Sequence, residues 1–517
     1  MIKLDNLLLP LDTDFNNLKE EISKTVEPEG SIVSVRLYKK SVDARGSKPR
    51  FCCSVLIEAE DETAFLKANK GARLFEYTPY VFKRTGNVLK DRPVVAGFGP
   101  AGMFAALTLA RAGLRPLVIE RGADVDSRIK DVKAFFAGGR LNDNSNIQFG
   151  EGGAGTFSDG KLNTGIKDPR IRAVLETFVT FGANGDILYE AKPHIGTDVL
   201  RNVVKNIRNE IIRLGGEVRF NTRLEGLITE NGRLEGIIAS GEEIKTGHLF
   251  LCIGHSARDT FKMINESGFD MCRKPFAVGL RIEHLQSDID RALYGEYAGH
   301  KNLGAADYKL AVHLPSGRGV YTFCMCPGGE VINASSERGG IVTNGMSYKA
   351  RSGLNANSAL LVGVEPSDIP GGDVLGGCEF QRNIEKAAYA ACGGKVPVCS
   401  VGHFLGKTDN AIGRVKPTVK PGYSLYDIGK LFPAFITESL KCGITEMDKK
   451  IAGFADNEAM LSAPETRSSS PVRILRGEDM QAPGFKGVFP CGEGAGYAGG
   501  IVSAAVDGIK AAEMIIF

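Results

Sequence analysis

The sequence predicts an α/β chain: a parallel-sheet domain built from two distant stretches, interrupted by an inserted domain and preceded by a small α+β unit. Three observations predict it. A short apolar strand, Val94-Val95-Ala96, runs through a glycine-rich turn into an alanine-rich helix over 101–111 and then a second strand at Leu117-Val118-Ile119. A second strand–turn–helix passage closes the chain, with Val488-Phe489-Pro490-Cys491 leading through glycines into a helix over 500–516. Between them, from about 275 to 450, strands, loops and short helices alternate with Gly and Pro clusters, as in an inserted substrate or cap domain.

The amino-terminal elements read β-α-β-β-α-β. A strand over 2–9 precedes a helix from Asp14 that puts Phe15, Leu18, Ile22 and Val26 on one face. Strands over 32–38 and 51–57 follow, the second alternating Phe51, Cys53, Val55 and Ile57 against Cys52, Ser54 and Leu56. A short helix near Glu62 and a strand near 73–81 complete a ferredoxin-like unit, with a polar linker over 83–92. It carries no chemical motif, so packing or partner contact is its expected role. Further on, Gly113 ends the first long helix. An amphipathic helix over 195–215 carries Leu200, Val203, Val204, Ile207 and Ile211, and leads through Gly215-Gly216 into a strand over 217–220. The expected domains are 1–88, 89–275, 276–450 and 451–517, the second and fourth forming one unit.

Composition narrows the function. A chain of 517 residues with 43% apolar and 24% charged residues is an ordinary globular protein of two or three domains. Net charge is +3 with no long basic run, which argues against nucleic acid or an anionic membrane as partner. The 64 glycines exceed the roughly 7% average and sit in clusters, a sign of backbone approaching a ligand. The start of the chain does not read as a signal peptide, and the apolar run over 94–110 is too short for a span and contains three glycines and a proline. Eleven cysteines without a C-x-x-C pair suit reduced thiols, so a cytoplasmic location is expected.

The strongest motif is Gly97-Phe98-Gly99-Pro100-Ala101-Gly102, with Glu120 ending the next strand 18 residues after Gly102. Gly97 permits the tight turn, Gly99 leaves room for a pyrophosphate, and Gly102 lets helix and strand pack closely. The helix start offers free N–H groups to the phosphates, and Glu120 can accept bonds from both adenosine ribose hydroxyls. This is a Rossmann-like dinucleotide unit. Gly150-Glu151-Gly152-Gly153-Ala154-Gly155 has the same glycine spacing but no helix after it. Gly494-Ala495-Gly496-Tyr497-Ala498-Gly499 opens a helix, but only 18 residues remain for any second strand. A complete second nucleotide domain is therefore not expected. At the carboxyl end, Gly492-Glu493 and the helix start at Gly499, Gly500 and Ile501 suit the ring half of a flavin, whose reduced N1/O2 edge is negative. FAD is the expected cofactor.

The sequence resembles the bacterial FAD-dependent dehydrogenases of the glutathione-reductase-type flavoprotein group and, more distantly, geranylgeranyl reductases and aromatic hydroxylases. Gly97–Gly102, the run Phe149-Gly-Glu-Gly-Gly-Ala-Gly-Thr-Phe-Ser-Asp-Gly-Lys161, Ile253-Gly-His-Ser-Ala-Arg-Asp259, Thr322-Phe-Cys-Met-Cys-Pro-Gly-Gly329 and Arg467-Ser-Ser-Ser-Pro-Val-Arg473 carry the resemblance, among other blocks along nearly the whole chain. It implies that Gly153, Ala154, Gly155 and Thr156 lie along the ribityl and pyrophosphate. It also implies that Val218 meets the adenine through its backbone, that Gly254 passes the adenosine, and that Arg121 beside Glu120 belongs to the same site. Glu493 stands where relatives more often carry Asp.

The substrate residues are less marked. His255, Arg281 and Cys324 are the catalytic candidates. Arg258 is read as either a site contact or a helix start. Arg281, Glu283 and His284 share a strand on which a solvated or structural ion pair is the blander reading. Cys324-Met325-Cys326 invites a redox or metal reading, but a C-x-C on a strand, with both thiols on one face, is usually structural, and no metal centre is expected because no second Cys or His pair completes one. The function expected is an FAD-dependent dehydrogenase or reductase exchanging hydride between a small-molecule substrate and flavin N5, with NAD(P)H a transient visitor at most. The rival reading is a protein with a structural flavin and an assembly role for its amino-terminal domain.

Overall fold

The computed structural model describes every residue except Pro28, Glu29, Ser47, Lys83, Thr85, Asn87 and Val88. Four of these fall in the linker expected over 83–92, so that part of the linker lies outside the described residues. The amino-terminal unit is a four-stranded antiparallel sheet in which Ile32–Asp43, Arg50–Ala59, Ile2–Leu9 and Ala72–Leu74 are neighbours in that order. Its alternation works as read. Phe51, Cys53, Val55 and Ile57 are buried against Leu18, Ile22 and Phe65 of the helices Leu18–Ser23 and Glu62–Ala68. Its last strand is shorter than expected. It pairs antiparallel with strand Ile2–Leu9, Leu74 opposite Ile2, and Phe75 N–H then donates to the Met1 carbonyl. The second strand runs longer, to Asp43 opposite Arg50, because the hairpin keeps pairing through its polar residues. Its Lys40 exchanges backbone hydrogen bonds with Tyr189 and Ala191, tying this sheet to the next domain.

The central domain is a five-stranded, fully parallel sheet in the order Val488–Pro490, Leu249–Leu251, Val94–Ala96, Leu117–Ile119 and Glu217–Arg219. The carboxyl-terminal strand thus joins a sheet begun almost four hundred positions earlier. Helices Pro100–Arg111, Thr197–Arg213 and Ile501–Glu513 bury one face of it. A three-stranded meander (Leu224–Glu230, Arg233–Ala239, Glu242–Lys245) and helix Arg258–Glu266 cover the other. The packing of Ile501–Glu513 on Pro100–Arg111 is close enough that a Cβ on Gly508 would lie 2.1 Å from the Ala101 carbonyl oxygen.

The inserted region forms a seven-stranded sheet with Phe276–Leu285 at its centre, flanked by Asn355–Val364 and Met460–Glu465. Met460–Glu465 lies beyond 450, where the sequence places the return to the flavin unit. That short strand carries no local sign of which sheet it joins. Among the described residues no helix is long and apolar enough to cross a membrane.

Candidate active site

A cavity of about 900 Å³ runs from the Gly97–Gly102 turn to the face of the inserted sheet. At its nucleotide end the three glycines divide their work as their spacing predicts. Gly97 has φ +100°, and a Cβ there would lie 2.3 Å from the Cys252 carbonyl oxygen. A Cβ on Gly102 would lie 1.9 Å from the Gly97 oxygen. A Cβ on Gly99 would meet nothing nearer than Gly153 Cα at 3.7 Å, so the space kept open there is kept for something other than protein. Gly254, with φ +70°, likewise borders open space. The residues present therefore fit a dinucleotide whose pyrophosphate passes Gly99 and the start of helix Pro100–Arg111.

Glu120 is buried and already busy. Its carboxylate accepts from the backbone N–H of Phe98 at 2.8 Å, Gly122 at 2.9 Å and Gly150 at 3.0 Å. Three of roughly four lone-pair positions are thus filled, which leaves about one for a ribose hydroxyl instead of the two expected. The same carboxylate staples the nucleotide turn to the loop over 144–153. Glu120→Ala is accordingly expected to weaken FAD binding and also to lower the thermal stability of the FAD-free protein. Each charge-assisted bond not replaced by water is worth on the order of 1.5–3 kcal/mol. An unchanged melting temperature in that variant would show that the three amides find other acceptors.

Gly153, Ala154 and Gly155 line the cavity, and Arg121 lies over the Phe149 ring while pairing with Asp259. Thr156 stands behind the wall, its hydroxyl donating to the Glu151 carbonyl, and Gly492 packs against Ala101. Val218 also misses the cavity. It pairs in register with Val118 in the middle of the edge strand, and the chain must run on past Arg219 before Thr222, Arg223 and Leu224 reach the cavity edge. The residue that shapes this loop most was missed in the sequence. Arg128, fully buried on helix Val125–Phe136, donates to the carbonyls of Asn146, Ile147, Gly150, Glu151 and Gly153. Nothing in its local sequence marks it.

At the far end, Glu493, Gly499, Gly500 and Ile501 border the cavity, the helix beginning at Ile501, one residue later than expected. Burial raises the Glu493 carboxyl to about 7 against the pull of Lys274. His255 Nδ1 lies 3.8 Å from it, and burial, helped by Arg467, brings that imidazole down to about 4. Around neutral pH this is a neutral imidazole beside a carboxyl that can hold or release a proton, not an ion pair. His255 Nε2 has no hydrogen-bond partner among the described residues.

The third catalytic candidate, Cys324, lines the cavity; Arg281 does not. Arg281 is fully buried, with Nε on Asn357 at 2.9 Å, Nη1 on Glu465 at 2.9 Å and Nη2 on the Cys324 carbonyl at 2.6 Å. Its donors are spent on protein, so it positions its neighbours and does not touch a substrate. Glu283 and His284 are buried as well, not solvated. Glu283 accepts from Thr418 and Asn355, and His284 faces the Phe454 carbonyl. Arg258 opens its helix and lies in a buried cluster with Glu385. Lys161, Asp159, Arg351 and Glu465, none singled out as site residues, gather around Cys324 and Cys326.

Residues 275–468 match a family model described as an FAD-dependent protein, C-terminal domain-like, and residues 1–58 match a domain of unknown function. A protein of Clostridium beijerinckii described as uncharacterised is 47% identical over 524 residues, covering 100% of this chain and 98% of that one. A geranylgeranyl bacteriochlorophyll reductase-like structure from Thermoplasma acidophilum is 14% identical with a TM-score of 0.35, covering 82% of this chain and 77% of that one. Glycine oxidase from Bacillus cereus is 10% identical with a TM-score of 0.34, covering 82% and 97%. The chain belongs to one family with that full-length relative, its residues 275–468 match the C-terminal domain of FAD-dependent proteins, and FAD is its cofactor.

Proposed function

We propose that the protein is a dehydrogenase or reductase of a small molecule, held in the part of the cavity between Glu493–His255 and the Cys324 wall. The observation that carries this reading is the continuity of the cavity. One continuous space joins the pyrophosphate turn at Gly99 to a wall of ionisable side chains on the inserted sheet. FAD, when bound, supplies hydride exchange at its N5. The chain supplies the rest. Gly97, Gly99, Pro100, Ala101 and the loop Gly153–Gly155 seat the phosphates, while Glu120 orients the ribose. Glu493 holds a proton below about pH 7 and yields it above, with His255 neutral beside it.

The amino-terminal unit is read as a ferredoxin-like domain, supported by its strand order and its two helices on one face. The inserted domain begins near 276 and, on the evidence of strand Met460–Glu465, returns to the flavin unit after that strand rather than at 450. A cytoplasmic location accords with eleven free cysteines. NAD(P)H has no second βαβ cradle in the sequence, so any such donor binds transiently.

Anaerobic stopped-flow reduction of the purified holoprotein tests this. Some small-molecule donor should reduce the flavin rapidly, and a soluble acceptor should reoxidise it. NADH or NADPH should show no saturation in the micromolar range. Saturation there would reveal a nucleotide site the chain is argued to lack, and a flavin that no donor reduces would overturn the dehydrogenase reading.

A further inference from the structure

Strand Gly319–Cys326 is irregular at its end. Phe323 pairs with Ala359 and Cys326 with Asn357, so three steps on one strand face two on the other and the extra residue is taken up at Cys324-Met325. The simple alternation that would put both thiols on one face is lost. Cys324 instead adopts φ +43°, a left-handed conformation uncommon for a residue other than glycine, asparagine or aspartate. Its carbonyl is held there by Arg281 Nη2 at 2.6 Å. The result is a Cys324 part-exposed at the cavity wall, with Cys326 buried behind it. Lys161 Nζ donates to the Met325 carbonyl and lies 3.9 Å from the Cys326 sulfur, and Arg281 Nη2 is at the same distance from that sulfur.

Three cations meet here, Lys161, Arg281 and Arg351. Asp159 is shared by Lys161 and Arg351, Glu465 pairs with Arg281, and the buried Glu283 also feels the charge of Arg281. Burial raises Glu465 to about 7, so near neutrality it is not a full negative charge. In this setting the neighbouring Cys326 thiol, against the cost of burial and with help from Lys161 and Arg281, draws the Cys324 thiol down, while Cys326 is pushed up.

We propose that Cys324 and Cys326 are a dithiol/disulfide pair in the wall of the FAD cavity that exchanges with small disulfides, Cys324 being the attacking thiolate. The Cys324 sulfur attacks one sulfur of the incoming disulfide, forming a mixed disulfide and expelling one thiolate. The Cys326 thiol then gives up its proton, attacks the Cys324 sulfur and expels the second thiolate. Two cysteine thiols are oxidised to one disulfide and the external disulfide is reduced to two thiols, so the balance needs no other oxidant. Cys324 lies in the wall of a concave cavity of about 900 Å³, not on a protruding surface, which favours a low-molecular-weight partner over a protein disulfide. The proposal does not depend on the dehydrogenase reading, because its readout is covalent.

The test uses the FAD-loaded full chain. Alkylation by iodoacetamide, read at Cys324 by peptide mass spectrometry, should change less than about threefold between pH 6 and pH 8, whereas an unstructured cysteine peptide slows roughly tenfold per pH unit over the acid part of that range. Oxidised glutathione at pH 6 should convert the protein to a mapped Cys324–Cys326 disulfide. Cys326→Ser should stop at one glutathione on Cys324, and Lys161→Met should move the onset of alkylation to higher pH. Cys324 alkylation that falls in step with the peptide, or no Cys324 product after oxidised glutathione, overturns the proposal. If Cys326→Ser loses its flavin absorbance, the wild-type disulfide map decides alone.

Discussion

Gly99→Val is expected to strip the protein of FAD while leaving its fold in place. Gly99 has φ −76° and extended ψ, a conformation valine adopts freely, and its added Cβ would make only ordinary contact with Gly153 Cα at 3.7 Å. The γ-carbons then project into the passage between the helix start and the loop over 153–155, where no protein atom is displaced but a pyrophosphate is. Exclusion of the phosphates should weaken binding at least about a hundredfold, roughly 3 kcal/mol. Neighbouring glycines give the contrast. Gly102→Val drives a Cβ to 1.9 Å from the Gly97 oxygen and Gly508→Val to 2.1 Å from the Ala101 oxygen, both backbone atoms that cannot yield, so these variants should fail to fold. Flavin content after purification, with circular dichroism melts of the FAD-free proteins, reads all three. A Gly99→Val protein that purifies with a full complement of FAD would show that the pyrophosphate lies elsewhere.

That contrast marks what the sequence makes legible. Glycine spacing is local, so the roles of Gly97, Gly99 and Gly102 could be assigned from a dozen residues and the shape of one turn. The slot of strand Val488–Pro490 could not, because only its partner Leu249–Leu251 defines it. The same strand decides what removing the last 30 residues would do. Strand Val488–Pro490 and the buried face of helix Ile501–Glu513, with Val502, Ala505, Val506 and Ile509, are core, so such a truncation tests folding before it tests flavin binding. Charged clusters are the least legible of all. Asp159 meets Arg351 across 192 positions and Arg281 meets Glu465 across 184, and no periodicity records such a pairing. Arg128 looks like any solvated helix cation until the loop it holds is folded around it. Cys324 lies on the strand where the sequence puts it, but the bulge that turns it toward the cavity depends on a register shift against Asn355–Val364.

Glu385→Ala should destabilise the protein by about 3–5 kcal/mol, the cost of leaving buried guanidinium groups without their partner. Glu385 sits on helix Gly376–Cys392 of the inserted domain with its side chain 1% exposed. It accepts from Arg258 at 2.8 Å on both oxygens, from Arg467 at 2.9 and 3.1 Å, and from the Thr466 hydroxyl at 2.6 Å. Arg258 belongs to the flavin unit and Arg467 lines the cavity, so this one carboxylate fastens the inserted sheet to the cofactor domain. Among the described residues Glu337 would be the carboxylate left to the pair, and it is about a third exposed. The interaction also carries a pH signature. Burial would raise the Glu385 carboxyl, but Arg467 and Arg258 outweigh it and hold it at about 2, below the 4.5 of a free glutamate. A depressed folded value gives stability that is fully present above about pH 4.5 and is lost as the pH falls toward 2. At 1.36 kcal/mol per unit the linkage is on the order of 3 kcal/mol. The difference in urea midpoint between wild type and Glu385→Gln, which has no proton to bind, should therefore be constant at neutral pH and shrink below pH 4.5. A difference that stays flat down to the acid unfolding of both proteins would mean that Glu385 is not the charge that holds the two guanidinium groups in place.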